Sequence, residues 1–338
     1  MNGAVFFAVP GDIVVSRRKI ADEYLKFLQK TGCFSLGTIL ISSQENKKNT
    51  PVSIFEDDGV VCDVLKIMKQ SKGAPWLFDS FILTEHEARW AEKIRAVYEG
   101  DPRHYYTFGG KSAFRSMAKQ DNFKVPCGFE YQKSPVDLAF ASAVLFLMGS
   151  SEIIIKEDEG VAGLGSRRFK RKDFLLRVRE FPVLFSSRGR DAGRGIVPVE
   201  SNAFIVERWH ARTLFSPSIQ LHIAPQGAVS VLSVHDQLFY ENNMTYRGCC
   251  SAQFLPEDLI SDVVREGKRF AEFFSEKGYR GHLSFNTIVL ENGTLLFTEV
   301  NPRRVMSSYP FQIVQRCVTG VAVPPWYVSS RVQKDSWK

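Results

Sequence analysis

Residues 295–303 contain three polar residues spaced two apart: Glu299, Asn301 and Arg303. The segment reads as a β-strand, and residues two apart in a strand point to the same face of the sheet. A carboxylate and an amide on one face offer two oxygen ligands of the kind that Mg²⁺ takes when it also holds nucleotide phosphates. The guanidinium of Arg303 would neutralise a phosphate or a carboxylate there. We therefore expect the chemistry of this protein at this segment.

A second candidate site is a lysine at the end of an apolar strand, followed by a glycine-rich loop. Residues 153–156 read as a buried strand ending in Lys156, which would deliver one ammonium group to a defined point. Three glycines follow at Gly160, Gly163 and Gly165. Backbone N–H groups of such a loop can close over phosphates, although no Gly-Lys-Ser/Thr follows and the pattern is not a P-loop. A plain glycine turn is the alternative, and the downstream Glu-x-Asn pair favours the phosphate-binding loop.

Four other residues are open to a functional and to a plain interpretation. Lys111 follows two glycines and opens a predicted helix, so it is either a phosphate contact or a solvated lysine. Glu207 and Trp209 end a predicted strand that would present backbone groups and a carboxylate to an adenine edge, or would be an ordinary edge strand. His235 would orient a substrate carboxylate or act as a base for an amine, or it is a histidine satisfied within a hairpin.

Composition excludes several classes of protein. The 338 residues are 44% hydrophobic, which is enough for two or three packed domains. No apolar run reaches the roughly 18–20 residues of a membrane span, so no membrane partner is expected, and the N-terminus lacks the basic region of a signal peptide. The six cysteines form no C-x-x-C pair. This argues against a zinc site or a disulfide framework and predicts a reduced, cytoplasmic setting.

The net charge of +7 lies partly in residues 167–172, which read Arg-Arg-Phe-Lys-Arg-Lys. A solvated face, a nucleic-acid patch and a loop that faces nucleotide phosphates are the three interpretations. The run lacks the aromatic interleaving of a stacking platform, so nucleic acid is not the expected partner. Its position after the glycine-rich loop favours the phosphate-facing interpretation.

The pattern of predicted strands and helices divides the chain into three domains and a tail. Residues 1–107 alternate strand-like and helical segments, which predicts a small α/β domain with a parallel sheet. Residues 108–202 hold the glycine-rich loop, residues 203–325 hold the Glu-x-Asn strand, and residues 326–338 read as a loose tail.

Local patterns predict individual elements. Residues 5–9 read as the first strand, and Thr84 with Glu87 predicts a capping box. Apolar residues at helical spacing predict a helix over residues 259–277. The Asn-Gly pair at residues 292–293 lies between two strand-like runs, which predicts a hairpin whose second strand carries the Glu-x-Asn pair.

The order and spacing of these motifs resemble the ATP-grasp superfamily of ATP-dependent carboxylate–amine ligases. The similarity extends over about two-thirds of the chain, and residues 1–107 look like a pre-ATP-grasp domain. Residues 234–237 and 246–249 are similar to the His-Asp/Glu-Gln and Tyr-x-Gly-Cys stretches of the pheganomycin-type peptide ligases. The resemblance implies an α/β protein with α+β lobes, an ATP-grasp fold and an N-terminal Rossmann-like domain.

The resemblance also implies roles on the nucleotide side of the site. Lys111 and Lys156 would bind the phosphates of ATP, and the glycine-rich loop would cover them. Glu207 would reach the adenine, with Trp209 beside it. His235 lies in the stretch that resembles the pheganomycin-type ligases, where a role toward the substrate is implied.

On the metal side, Glu299 and Asn301 would hold Mg²⁺ or Mn²⁺. The third ligand falls on Asn286, where the family has an aspartate or a glutamate. Arg303 would stabilise the transferring phosphoryl group or the acyl phosphate. Residues 305–310 depart from the Gly-Gly-Thr-Thr-His-Pro-like run of the pheganomycin-type ligases.

The reaction implied is formation of an amide from a small-molecule carboxylate and an amine, both amino acids or small peptides. ATP would phosphorylate the carboxylate, the amine would attack the acyl phosphate, and ADP and phosphate would leave. A homodimer is the assembly that the family suggests. Two alternatives stay open: an ATP-grasp phosphotransferase, and a nucleotide-binding protein with impaired catalysis, which the neutral Asn286 motivates.

Overall fold

The structure is a computed structural model that describes residues 7–16, 19–30, 39–42, 57–71, 75–82, 84–159, 166–186, 203–240, 246–317 and 327–329. Within these residues the α-helices are α1 (Asp22–Lys30), α2 (Asp58–Gln70), α3 (Glu85–Lys93), α4 (Arg103–Gly109), α5 (Lys111–Gln120), α6 (Pro135–Leu147), α7 (Phe174–Arg177), α8 (Phe181–Ser186), α9 (Glu257–Glu276) and α10 (Ser308–Cys317). The β-strands are β1 (Ile13–Ser16), β2 (Ile39–Ser42), β3 (Leu77–Phe78), β4 (Val97–Tyr98), β5 (Gly128–Gln132), β6 (Glu152–Glu157), β7 (Arg167–Lys170), β8 (Phe204–Arg208), β9 (Thr213–Phe215), β10 (Pro217–Ile223), β11 (Val229–Phe239), β12 (Tyr246–Ser251), β13 (Gly281–Leu290), β14 (Leu295–Asn301) and β15 (Tyr327–Ser329).

The N-terminal part is built from two parallel strand pairs, β1 with β2 and β3 with β4, together with α1, α2 and α3. The predicted capping box is present, since Thr84 N–H donates to the Glu87 carboxylate at 3.0 Å and the Thr84 hydroxyl accepts from the N–H of His86. The prediction of a strand at residues 5–9 is wrong for its described part. Val9 N–H donates to the Asp12 carboxylate at 2.8 Å and closes a turn there, so the first strand among the described residues begins at Ile13.

The second part is a four-stranded antiparallel sheet in the order β5-β8-β6-β7, with α6 packed on one face. Successive side chains of β6 point to opposite faces of the sheet. Ile153 and Ile155 lie in the core beneath α6, whereas Ile154 and Lys156 line a cavity on the opposite face.

The third part is a larger sheet with the path β14-β13-β10-β11-β12-β15, and β9 pairs with β13. Helix α9 packs on it through an aromatic cluster: the Phe270 ring stacks on Phe123 at 3.8 Å and on Phe285 at 4.7 Å between centroids. Gly267 lets the helix approach β10, because a Cβ there would lie 2.8 Å from Ile219 Cδ1. No helix within the described residues is both long and apolar enough to cross a bilayer.

Candidate functional site

The β13–β14 hairpin carries the predicted metal ligands, and a bulge shapes it. Asn286 pairs with Glu299, but the next pair is Thr287 with Phe297, so Thr298 is an additional residue in β14. The Thr298 hydroxyl donates to the Asn286 carbonyl at 3.0 Å and fixes the bulge. Side chains of the hairpin reach a cavity of about 280 Å³ between the two sheets.

The three predicted metal ligands, Glu299, Asn301 and Asn286, line this one cavity. Asn286 Nδ2 donates to Glu299 Oε2 at 3.1 Å, and Ser218 Oγ donates to Asn286 Oδ1 at 2.9 Å. The described residues contain no cluster of three or more His, Cys, Asp or Glu arranged for a metal. The donor set of one carboxylate and two amide oxygens fits Mg²⁺ that shares its coordination with phosphate oxygens, and it does not suit a soft transition metal.

Lys111 reaches the same cavity from the opposite side. Its Nζ lies 3.5 Å from Glu299 Oε1 and donates to the carbonyl of Asp158 at 3.4 Å. Asp158 also accepts the N–H of Lys111 at its carbonyl (3.0 Å) and the N–H of Ser112 at its carboxylate. Because Asp158 follows β6, these bonds tie the start of α5 to the end of the lysine-bearing strand.

Lys156 and Glu207 form a buried ion pair that continues to a third residue. Lys156 Nζ lies 2.5 Å from Glu207 Oε1, and Arg115 Nη1 lies 2.5 Å from Glu207 Oε2. Burial alone would raise the pKa of Glu207, but the charges of Lys156 and Arg115 hold that pKa below its ordinary value. The predicted contact between Glu207 and adenine stays a prediction. In this structure both carboxylate oxygens are engaged by cations.

Arg115 does not line the cavity, but it holds the Glu207 carboxylate in place, and the sequence reasoning missed it. Its side chain is fully buried, with bonds to Glu130 (2.8 Å) and to the Pro126 carbonyl (2.7 Å) besides Glu207. One signal could have found it: Arg115 lies four residues after Lys111, which places both on one face of α5.

Trp209 and its neighbours form the wall of the cavity next to β8. Trp209 and His210 line it, and the Arg168 guanidinium lies 5.3 Å from the centroid of the Trp209 ring. Trp209 Nε1 and His210 Nε2 are buried without a hydrogen-bond partner among the described residues. Burial lowers the pKa of His210 and favours its neutral ring. This wall therefore presents an aromatic side chain to the cavity, while Trp209 Nε1 and His210 Nε2 are themselves buried.

The loop glycines Gly160, Gly163 and Gly165 lie outside the described residues, whereas Ser166, directly after them, lines the cavity. Residues 167–172 do not form the expected loop, because residues 167–170 are the strand β7. None of the six lines the cavity, and a contact between them and nucleotide phosphates stays a prediction. Residues 167–170 form the edge strand β7, which pairs with β6 and buries Phe169 in the core.

Arg303 lines the cavity, and its Nη2 donates to Asn301 Oδ1 at 2.9 Å. Its guanidinium carbon lies 5.4 Å from the centroid of the Phe81 ring. The next residue, Arg304, pairs with Asp79 at 2.6 Å. The two arginines thus join the end of β14 to the N-terminal part of the chain.

Residues 305–307 also line the cavity, and buried hydrogen bonds hold them. Gln220 Nε2 donates to Ser307 Oγ at 2.8 Å, and Ser308 Oγ donates to Gln220 Oε1 at 2.7 Å. A buried polar group is costly when it lacks a hydrogen-bond partner, and here the Gln220 amide and both serine hydroxyls have one. The segment after the Glu-x-Asn strand is therefore fixed to β10.

His235 is not brought to the cavity. Its side chain is buried in β11, where its Nε2 shares a 2.7 Å hydrogen bond with Ser233 Oγ, and its ring packs edge-on against Phe311 at 5.7 Å. Burial lowers its pKa to about 4. The structure favours the plain interpretation, a neutral histidine within the sheet, over a base that faces the substrate.

We expect acid to destabilise the protein through His235. Its folded pKa lies below the unfolded value of about 6.5, so between pH 6.5 and 4 the unfolded chain binds the proton preferentially. Stability should fall there by up to about 1.4 kcal/mol per pH unit. His235→Asn should flatten this slope in denaturant unfolding at several pH values. The exposed His86→Asn is the matched control, and an unchanged slope in His235→Asn would contradict the assignment.

Comparisons with known proteins were made of sequence and of structure. No protein-family model matches the sequence. A curated relative, the butirosin acyl-carrier protein–L-glutamate ligase of Niallia circulans, is 26% identical over 202 residues. The match covers 59% of this chain and 44% of the relative. The chain thus spans less than half the length of that relative.

One similar solved structure is the biotin carboxylase domain of the Hydrogenobacter thermophilus 2-oxoglutarate carboxylase, in complex with MgADP, ADP and bicarbonate. Its TM-score is 0.62 at 16% sequence identity, and the match covers 93% of this chain and 67% of the other chain. N5-carboxyaminoimidazole ribonucleotide synthetase of Thermus thermophilus has a TM-score of 0.54 at 14% identity, over 94% of this chain and 78% of its own. Both likenesses include the N-terminal part. The chain therefore has the ATP-grasp fold, with the mixed α/β architecture that its motifs predicted.

Proposed function

We propose that this protein is an ATP-dependent carboxylate–amine ligase that acts on amino acids or small peptides. The observation that carries the proposal is the cavity itself. Two lysines of the four-stranded-sheet part, Lys111 and Lys156, face three oxygen ligands on the β13–β14 hairpin, Glu299, Asn301 and Asn286. Positive charge opposite a magnesium-type ligand set is what a bound triphosphate requires.

The proposed roles follow from this geometry. Glu299, Asn301 and Asn286 would hold Mg²⁺, or Mn²⁺, which when bound neutralises phosphate charge. Lys111 and Lys156 would contact phosphate oxygens, and the buried ion pair with Glu207 would keep the Lys156 ammonium in place. The protein would act by positioning and charge neutralisation, without a nucleophile of its own.

On the substrate side, Arg303 is the group best placed to stabilise a transferring phosphoryl group or an acyl phosphate. The γ-phosphate would pass from ATP to the carboxylate and leave ADP. The amine nitrogen would then attack the acyl carbon, and phosphate would depart as the C–N bond forms. The presence of Trp209 in the cavity wall supports an adenine beside β8, because nucleobases stack on aromatic side chains.

The comparisons support the same proposal. The relative from Niallia circulans is named as a ligase, and the structure from Hydrogenobacter thermophilus holds MgADP. We propose residues 1–107 as the pre-ATP-grasp domain, residues 108–202 and 203–325 as the two ATP-grasp lobes, and residues 326–338 as a tail. A homodimer in the cytoplasm is the proposed state.

A screen of amino-acid pairs with MgATP tests the proposal, scored by phosphate release and by the mass of the product. We expect a new amide and ADP only when a carboxylate and an amine are both present. Turnover of ATP without a new amide would overturn the ligase assignment and favour a phosphotransferase. Binding of ATP without turnover across the screen would favour an impaired nucleotide-binding protein.

The neutral Asn286 favours the impaired protein as the second candidate, and it yields a prediction. Asn286→Asp adds a carboxylate next to Glu299, so without metal the two should repel and the protein should be less stable. With MgATP, the added charge should lower the Mg²⁺ concentration needed for half-maximal thermal stabilisation by about tenfold. Asn292→Asp in the exposed hairpin turn is the matched control, and unchanged Mg²⁺ dependence of Asn286→Asp would count against this metal site.

A further inference from the structure

Helix α6 is apolar on two faces, and only one of them has a partner. Leu138 and Leu145 pack into the core above β6 and β8. On the outer face Val136, Phe140 and Leu147 point to solvent. A helix that is apolar all round is ordinarily buried on all sides, so the outer face of α6 is unusual for a surface helix.

The neighbouring helix α7 extends this surface. The rings of Phe146 and Phe174 lie 5.1 Å apart, which places the start of α7 against the end of α6. Leu175 and Leu176 follow and are exposed. Each of the five residues on this surface is between 69% and 84% exposed. We call them together the α6–α7 face: Val136, Phe140, Leu147, Leu175 and Leu176.

A basic cleft adjoins this face. Its walls are residues 149–152, directly after α6, and residues 170–172, directly before α7. Arg171 N–H donates to the Ser151 carbonyl at 2.9 Å and holds the walls together. Lys170, Arg171 and Lys172 are exposed, and no ion pair to them occurs among the described residues. Nearby arginines do have partners, Arg168 on Glu152 and Arg177 on Glu180.

We propose that the α6–α7 face binds a protein partner through an acidic amphipathic helix. The apolar side of that helix would cover Phe140 and Leu147, which are both exposed and lie two turns apart on α6. Its carboxylates would meet Lys170, Arg171 and Lys172. Contiguous exposed apolar surface with a polar rim is the usual mark of an interaction site in a folded protein.

Charge favours an acidic protein partner over a second copy or a segment of this chain. A second copy of the chain would place one basic cleft near another, and like charges across an interface are unfavourable. Residues 187–200 of the chain itself carry three arginines against two acidic residues, so they do not complement the cleft. The cleft is shallow, and an anionic bilayer would complement the same cations, so binding to lipid is an outcome of the test below.

The face lies away from the proposed nucleotide cavity. Ile153 and Ile155 of β6 pack beneath α6, and Ile154 and Lys156 of the same strand line the cavity on the other side of the sheet. A partner on α6 would not obstruct the cavity. Variants of the face should therefore leave stabilisation by MgATP unchanged, and the inference does not depend on the proposed function.

Binding of a labelled, designed helical peptide with leucine on one side and glutamate on the other tests the proposal by fluorescence anisotropy. We expect saturable binding that weakens with salt. The variants Phe140→Glu/Leu147→Glu and Lys170→Glu/Lys172→Glu should each weaken it at least about tenfold. Phe254→Glu, an exposed aromatic outside the face, is the matched control and should bind as the wild type does.

The same variants decide between the occupants. Absence of peptide binding, or equal binding by all variants, would overturn the proposal. Sedimentation with phosphatidylserine vesicles that is lost in Phe140→Glu/Leu147→Glu, without peptide binding, would assign the face to a lipid surface instead. A dimer in analytical ultracentrifugation that the same variant abolishes would assign it to a second copy. Thermal melting of every variant checks that the fold is intact.

Discussion

Glu299→Gln should lower the turnover of ATP about 10²–10³-fold while the protein stays folded. The substitution keeps the size of the side chain and removes the only formal negative charge of the proposed ligand set. It also removes a negative charge that lies 3.5 Å from the Lys111 ammonium. The measurement is steady-state release of phosphate from MgATP with the substrate pair that the screen identifies.

Glu291→Gln is the matched control for this substitution. Glu291 lies in the exposed turn of the same hairpin and does not line the cavity, so the same change of charge there should leave turnover within about twofold. A loss of turnover in Glu291→Gln equal to that in Glu299→Gln would show that the hairpin, and not the carboxylate in the cavity, is what the reaction needs.

Arg115→Met should lower the free energy of unfolding by about 3–5 kcal/mol, because it leaves buried carboxylates with fewer cationic partners. Glu207 and Glu130 both lose a close contact to the guanidinium, at 2.5 Å and 2.8 Å. Denaturant unfolding measures the loss. Lys119→Met is the matched control, since Lys119 also pairs with Glu130 but is half-exposed, and its removal should cost less than about 1 kcal/mol.

A double substitution separates the lost charge from lost packing. If the uncompensated carboxylate is the cause, Glu207→Gln should recover part of the stability in the Arg115→Met background, whereas alone it should destabilise. Glu207 has a lowered pKa, so the stability it contributes is present above the unfolded pKa of about 4.3 and is lost as pH falls through the folded one. Arg115→Met should make that loss smaller. Additive effects of the two substitutions would contradict the coupling.

The sequence predicted the β13–β14 hairpin well because two independent local rules agreed there. The Asn-Gly turn set the hairpin, and strand alternation placed Glu299 and Asn301 on one face. The capping box at Thr84 was confirmed for a similar reason, since all of its partners lie within one turn of helix. Local structure that depends on residues close together in the sequence could therefore be predicted.

What is fixed by distant contacts could not be predicted. Arg115 supports the site because Glu207, 92 positions later, is folded against it. The basic run at residues 167–172 followed the glycine-rich loop in sequence, yet its pairing as an edge strand took it out of the cavity lining. His235 has a sequence context that resembles a ligase motif, and its burial within the sheet is a tertiary property.

The bulge at Thr298 changes the alternation of side chains along β14. In a regular strand Phe297 and Glu299 would share a face, yet Phe297 and Val300 lie in the aromatic core while Glu299 and Asn301 meet the cavity. The additional residue therefore separates two side chains that ordinary alternation would place together. A deletion of Thr298 would make Phe297 and Glu299 neighbours, and regular alternation would then keep Phe297 in the core and Glu299 in the cavity. We therefore expect the ligand set of β14 to survive the loss of the bulge.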